Sequence, residues 1–146
     1  MKDYIYSLEF KVRDYECDLQ SVVNNAVYQH YLEHTRHEFL KSIGLDFEKL
    51  SKENLSPMVY KSEITYKSPL VSGDEFISTI NVSRKGTLKI LFHQRIYRKR
   101  DLKLMITATI TKVIVKDKTA YCPNFYFEAI NNKIEETAKN RVYSCL

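Results

Sequence analysis

Residues 12–40, VRDYECDLQSVVNNAVYQHYLEHTRHEFL, change period partway through. Leading into them, Tyr6, Leu8, Phe10 and Val12 alternate with Ser7, Glu9 and Lys11, which predicts a half-buried strand over residues 4–13. Further on, Tyr28, Tyr31, Leu32, Thr35, Phe39 and Ile43 fall at helical intervals, and Gly44 stands where a helix C-cap is expected. Between the two lies a polar turn around Asp18 to Ser21. Asn24 is suited to cap the helix, because its side chain can accept a hydrogen bond from a first-turn amide. Asn25 is then the first helical residue, and its own amide has no intrahelical acceptor. A carboxylate, Asp18, therefore sits in a short turn ahead of a helix start with a free donor.

Working outward, residues 46–54 are polar and predict a short helical turn. Beyond Pro57 the period returns to two: Met58, Tyr60, Ile64 and Tyr66 form one face of a second strand. SPLVSGD, with Pro69 and Gly73, breaks the chain before Phe76, Ile80 and Val82 begin a third. After SRKGT, Leu88, Ile90, Phe92 and Ile96 mark a fourth strand, and the charged RKRDLK supplies a hairpin. LMITATITKVIV, residues 104–115, is apolar or threonine-rich on both faces and belongs inside the sheet. Pro123 precedes a short terminal helix expected from about Tyr126 to Ala138. Strand, long helix and four strands with short connections predict an α+β protein, an antiparallel meander with the helix packed on one face.

A chain of 146 residues with 44% apolar content can bury one core without metals or disulfides, so a single domain over residues 1–146 is expected, its core at about 5–125. No repeat or low-complexity tract appears. MKDYIYSLEF alternates instead of forming an apolar signal, and no apolar run approaches the ~20 residues that span a bilayer, so a soluble, cytoplasmic protein is expected. Cys17, Cys122 and Cys145 are too few and scattered for a disulfide framework or a four-ligand zinc site. His30 and His34 lack a third ligand in any recognisable pattern, so neither metal nor cofactor is expected. The net charge of +5 suits an acidic partner: nucleic acid, an anionic membrane, coenzyme A phosphates or an acidic carrier protein. Nucleic-acid binding would need aromatics interleaved with basic residues on an open sheet face, whereas these tyrosines and phenylalanines follow core-facing periods. The basic cluster of Arg84, Lys85, Arg95, Arg98, Lys99 and Arg100 reads as solvated hairpin charge or as a contact for phosphate or a carrier.

The order of elements and the stretch DYECDLQSVVNNAVYQHYLEHTR, with the later YKSPLVSGDEF, resemble the hotdog-fold thioesterases of the 4-hydroxybenzoyl-CoA thioesterase class. The resemblance implies a curled antiparallel sheet around one long helix. It further implies edge-to-edge pairing into a homodimer or homotetramer, with active sites at the interface. VRDYE, VVNNAVY and HTRHEFL are most similar to the acyl-lipid thioesterases of plant plastids and their bacterial relatives, which implies hydrolysis of acyl carrier protein or coenzyme A esters. By position, Asp18 matches the catalytic carboxylate, nucleophile or general base depending on the member. Asn25 matches the position whose backbone amide polarises the thioester carbonyl, and Glu33 matches a common acidic position on the helix. Two residues depart from the pattern. Ser21 replaces a glycine, so the turn must avoid a positive φ or tolerate strain. Asn25 stands where many relatives carry histidine, which removes a side-chain role and leaves the backbone role.

Thioester hydrolysis builds negative charge on the carbonyl oxygen, and a helix N-terminus offers unpaired amides at the positive end of the macrodipole. Asp18 can approach the carbon from the turn, and thiolate leaves readily. A hotdog dehydratase would require a histidine in a proline-rich approach to the helix, and SVVNNAVY has neither. A non-catalytic acyl-binding or regulatory hotdog domain would keep the pocket and could dispense with Asp18. Glu33, Arg36 and His37 stand at spacings that permit ion pairs along the helix, in solvent or at an interface.

Overall fold

The computed structural model describes residues 3–144, which leaves Cys145 outside the described residues. Strand β1 (Tyr6–Lys11) leads through a single 3-10 turn (Asp14–Glu16) to the long helix α1 (Asn25–Ser42) and the short helix α2 (Phe47–Lys52). Strands β2 (Ser56–Tyr66), β3 (Glu75–Lys85), β4 (Lys89–Arg98), β5 (Leu104–Lys116) and β6 (Thr119–Ala120) follow, and α3 (Asn124–Ser144) ends the described chain. The terminal helix is longer than the sequence pattern predicts, and it puts Tyr126 and Ile130 into the same core as α1.

All pairings are antiparallel, in the order β1-β3-β4-β5-β2, with β6 added to β5. This corrects the expected meander. Strands β3, β4, β5 and β6 follow one another across short turns, whereas β2 pairs with β5 instead of β3. The cause is topological: β1 already occupies the outer edge of β3, so β2 closes the opposite edge. Strand β5 is interior, as its two-sided composition predicts.

Helix α1 buries Tyr28, Tyr31, Leu32, Thr35 and Phe39, as its spacing anticipates, against Phe76, Ile80, Phe92, Ile96 and Ile106 of the sheet; Leu40 joins them, and the anticipated Ile43 is half-buried. Phe10 stacks on Phe76 at 4.9 Å between ring centroids, and Tyr31 leans on both. Polar bonds also fix the helix to the sheet. Thr35 Oγ1 bonds the Tyr31 carbonyl at 2.7 Å and meets Ser78 Oγ at 2.8 Å. Gln94 Nε2 donates to the Leu32 carbonyl at 3.0 Å. Ile43 caps the helix and Gly44 follows at φ +80, the left-handed conformation that glycine adopts without penalty.

The second strand departs from its pattern. A bulge at Tyr60 shifts the register between Val59 and Lys61, and Met58, Val59, Tyr60 and Tyr66 are all exposed. Because β2 is an edge and α1 does not cover it, the alternation that marks a buried face has nothing to bury against in a single chain.

Candidate active site

The turn ahead of α1 is closed by its own backbone. Cys17 and Val23 form an antiparallel bridge, Asp18 N–H donates to the Val22 carbonyl at 2.9 Å, and Ser21 N–H donates to the Asp18 carbonyl at 3.0 Å. Ser21 takes φ 62, so the turn tolerates strain instead of avoiding the left-handed region, at a cost of roughly 1–2 kcal/mol. Asp18 is exposed, and its Oδ1 accepts the Gln20 N–H at 2.8 Å, which orients the carboxylate without covering it. The segment is tied down on both sides: Asn24 N–H reaches the Glu16 carbonyl at 3.0 Å, and the Ser72 hydroxyl bonds the Asp14 carboxylate. Burial, followed by the carboxylates of Asp14, Asp18 and Glu16, pushes the Cys17 thiol up, away from the thiolate a nucleophile needs.

At the helix start Asn24 is the N-cap, extended at ψ 140, with Oδ1 accepting the Ala26 N–H at 2.9 Å. The Asn24 carbonyl takes the Val27 N–H at 2.9 Å. Asn25 N–H has no acceptor among the described residues, as the capping pattern predicts. A cleft beside it is lined by Val22, Val23, Tyr28, Tyr66 and Pro69. Sequence reading missed the parts that hold this cleft's far wall. Leu70 N–H donates to Tyr28 Oη at 2.9 Å, Val23 N–H donates to the Leu70 carbonyl at 2.9 Å, and Tyr66 Oη donates to the Asn25 carbonyl at 3.3 Å.

The structure thus brings Asp18 and Asn25 to one end of α1 and leaves Glu33 elsewhere. Glu33 is exposed about 12 Å along the helix from Asn25 and pairs with His37 at 3.6 Å. Among the described residues no group of three His, Cys, Asp or Glu side chains is placed to hold a metal. The basic cluster is dispersed: Arg98 pairs with Asp101 at 2.6 Å, Lys99 with Glu9 at 2.9 Å, and Arg84 lies over the Phe127 ring.

Arg36 corrects the expectation of an exposed or interface ion network. It is buried beneath the middle of α1, where Nη1 donates to Gln94 Oε1 at 2.9 Å and Nε has no partner among the described residues. Burial pushes its pKa down to about 10, with Glu33 opposing. Lys112 of β5 is buried nearby, pushed down to about 8 by burial and then by Arg36, with Glu33 again opposing. Strand parity carried the signal for both polar neighbours: Gln94 shares the row of Ile90, Phe92 and Ile96, and Lys112 the row of Ile106, Ala108, Ile110 and Ile114, all facing the helix. A base whose pKa is lower folded than unfolded destabilises the fold fully below the folded value. The penalty fades as pH rises from the folded value of about 8 toward the unfolded value near 10.4, above which it is gone. Lys112→Met is therefore expected to be more stable than the wild type at pH 7, by on the order of 3 kcal/mol, with the difference vanishing by about pH 10.5. Thermal unfolding at the two pH values measures this, and a variant less stable at pH 7 would contradict it.

Residues 12–137 match the sequence profile of the thioesterase-like superfamily. The chain is similar to the acyl-acyl carrier protein thioesterase ATL3, chloroplastic, of Arabidopsis thaliana, at 39% identity over 93 residues, covering 64% of this chain and 49% of that protein. It is likewise similar to ATL2, chloroplastic, from the same plant, at 35% identity over 113 residues, covering 77% of this chain and 60% of that protein. The chain spans about half to three-fifths of the length of these relatives. Among solved structures, Slr0204, a 1,4-dihydroxy-2-naphthoyl-CoA thioesterase from Synechocystis, superposes with a TM-score of 0.80 at 16% identity, over 86% of this chain and 94% of that one. The curled antiparallel sheet around α1 is the hotdog fold, and the chain belongs to the thioesterase-like superfamily.

Proposed function

We propose that this protein is an acyl thioesterase that hydrolyses acyl carrier protein or coenzyme A esters to the free acid and thiol. The observation that carries the reading is the Asn25 N–H, the first amide of a buried helix, left without an acceptor at the rim of a cleft. A thioester carbonyl oxygen placed there meets a donor and the positive end of the helix as its charge develops, a contribution of about 2.7–4 kcal/mol per well-aimed donor. Asp18, on the turn feeding that helix, supplies the carboxylate. It either takes a proton from the attacking water or attacks the carbonyl carbon itself, giving an anhydride that water then opens. In both routes the carbon–sulfur bond breaks and the thiolate leaves, to be protonated by solvent. The similarity to acyl carrier protein thioesterases supports the substrate class, and the chain's positive charge suits an acidic carrier.

Asp18→Asn keeps the oxygen that accepts the Gln20 N–H and removes the anion. Its kcat is expected to fall by about 100-fold or more, with the melting temperature unchanged. Turnover close to wild type in the folded variant would remove Asp18 from the mechanism.

A single chain leaves the Asp18 carboxylate open to solvent, and it leaves β2 with an unpaired eleven-residue edge and exposed Met58, Val59, Tyr60 and Tyr66. An open edge of that length, carrying exposed apolar side chains on either side of the Lys61–Glu63 pair, is a pairing surface. The working unit in our reading is a homodimer joined along β2, or a homotetramer of such dimers, in which the neighbour excludes water from the carbonyl. Light scattering at micromolar concentration is expected to give at least the dimer mass, and Tyr60→Lys to shift the population toward monomer. A stable wild-type monomer with full activity would contradict this arrangement.

A further inference from the structure

A second cleft lies at the other end of α1, outside the site described above. Its walls are Leu40, Leu45, Leu50 and Pro57, with Phe47 on the exposed rim and Lys112 in the wall. Lys112 is 5% exposed; among the described residues its ammonium makes no hydrogen bond or ion pair, and it lies over the Phe92 ring at 5.9 Å. The neighbouring guanidinium of Arg36 is 4% exposed, with Nε unpartnered. Two carboxylates are close: Glu33 is exposed and pairs with His37, and Asp46, which also lines the cleft, caps α2 with its Oδ1 through the Lys49 N–H at 2.9 Å. Two buried cations therefore stand at or near the cleft with no carboxylate among the described residues in ion-pair contact with either, and Glu33 acts on both only from a distance. An unpaired ammonium in apolar surroundings is costly, and an anion bound beside it removes that cost.

We propose that Lys112 and the cleft beside it bind the carboxylate head of an apolar acid, with the hydrocarbon tail lying against Leu40, Leu45 and Leu50 and running out past Phe47. The ligand class rests on the thioesterase reading, because a free acyl acid is what that reaction releases; the cleft is then a product-binding site. Its chemistry fits one charge on an apolar body: hydrophobic walls and one unpartnered cation. The enclosed space beside Lys112 is no larger than one water molecule, so a carboxylate head enters only as the exposed rim at Phe47 gives way. Phe47, 57% exposed and set edge-on to His37 at 4.7 Å, is the wall that swings aside to admit the tail. At pH 7 Lys112 is still mostly protonated, since burial brings it down only to about 8.

Calorimetric titration of the full chain at pH 7 with octanoate, and with octanol as its uncharged counterpart, tests this. Wild-type protein is expected to bind octanoate at one site per chain, and Lys112→Met to weaken it by about 10-fold or more, the scale of one charge-assisted contact. Octanol is expected to bind the wild type at least about 10-fold more weakly than octanoate and to be indifferent to the substitution. Equal octanoate affinity in the two proteins, octanol binding as tightly as octanoate, or no octanoate binding at millimolar concentration overturns the proposal. Should Lys112→Met not fold, thermal protection of the wild type by octanoate and not by octanol decides the matter. The titration needs no turnover, so the two readings fail separately. A protein that hydrolyses thioesters but ignores octanoate loses this site alone. One that binds octanoate through Lys112 but hydrolyses nothing loses the product assignment.

Discussion

A helix cannot satisfy its own first amides, and α1 leaves one of them open at the end where the chain has just turned. The Asn24 side chain takes the Ala26 N–H and its carbonyl takes the Val27 N–H, which leaves Asn25 as the residue with a free donor. The same few residues fix Asp18, because the bridge between Cys17 and Val23 closes the turn immediately before the cap. Donor and carboxylate are thus parts of one backbone knot. Strain at Ser21 is the local cost of making that knot so short, and the surrounding hydrogen bonds from Asn24 and Ser72 hold it in place.

Everything behind the knot keeps the helix from moving. Phe10, Tyr31 and Phe76 pack under its first half, and Thr35 and Gln94 bond it to the sheet farther along. The sheet's order matters as much as its packing. With β1 on one edge and β2 on the other, the helix covers the middle and leaves β2 bare. In the proposed dimer the neighbour that excludes water from the reaction would pair along the strand leading to Tyr66, whose hydroxyl bonds the Asn25 carbonyl. The buried cations beneath α1 run against stability, which is how ligand-binding groups commonly stand in a fold.

Much of this was legible before any coordinates. The switch from period two to helical spacing placed α1, the Asn24 cap and the free amide of Asn25, because capping is a local rule that tertiary contacts rarely override. The meander was misread because adjacency of strands in sequence says nothing about which edge is already taken, and β1 takes the edge of β3. Tyr60 fell off the expected face through a bulge, which alternation cannot reveal. Arg36 looked solvent-facing by residue type, yet it lies one position from Thr35 on the buried side; helix spacing alone does not fix how wide the covered stripe is. Lys112 and Gln94 were readable from strand parity, and the polar residue type obscured them.

The account stands or falls on what the Asn25 amide does to a bound carbonyl. Infrared difference spectroscopy of a carbon-13-labelled acyl thioester bound to Asp18→Asn protein measures that directly, since a hydrogen bond from the amide lowers the carbonyl stretching frequency. Proline suits the first helical position and the extended Asn24 before it, so Asn25→Pro removes the donor and little else. The account predicts a carbonyl band below that of the thioester in water, kept when Asn25→Ala is added to Asp18→Asn and lost when Asn25→Pro is added. An unshifted band in Asp18→Asn, or a shift that survives Asn25→Pro, would contradict it.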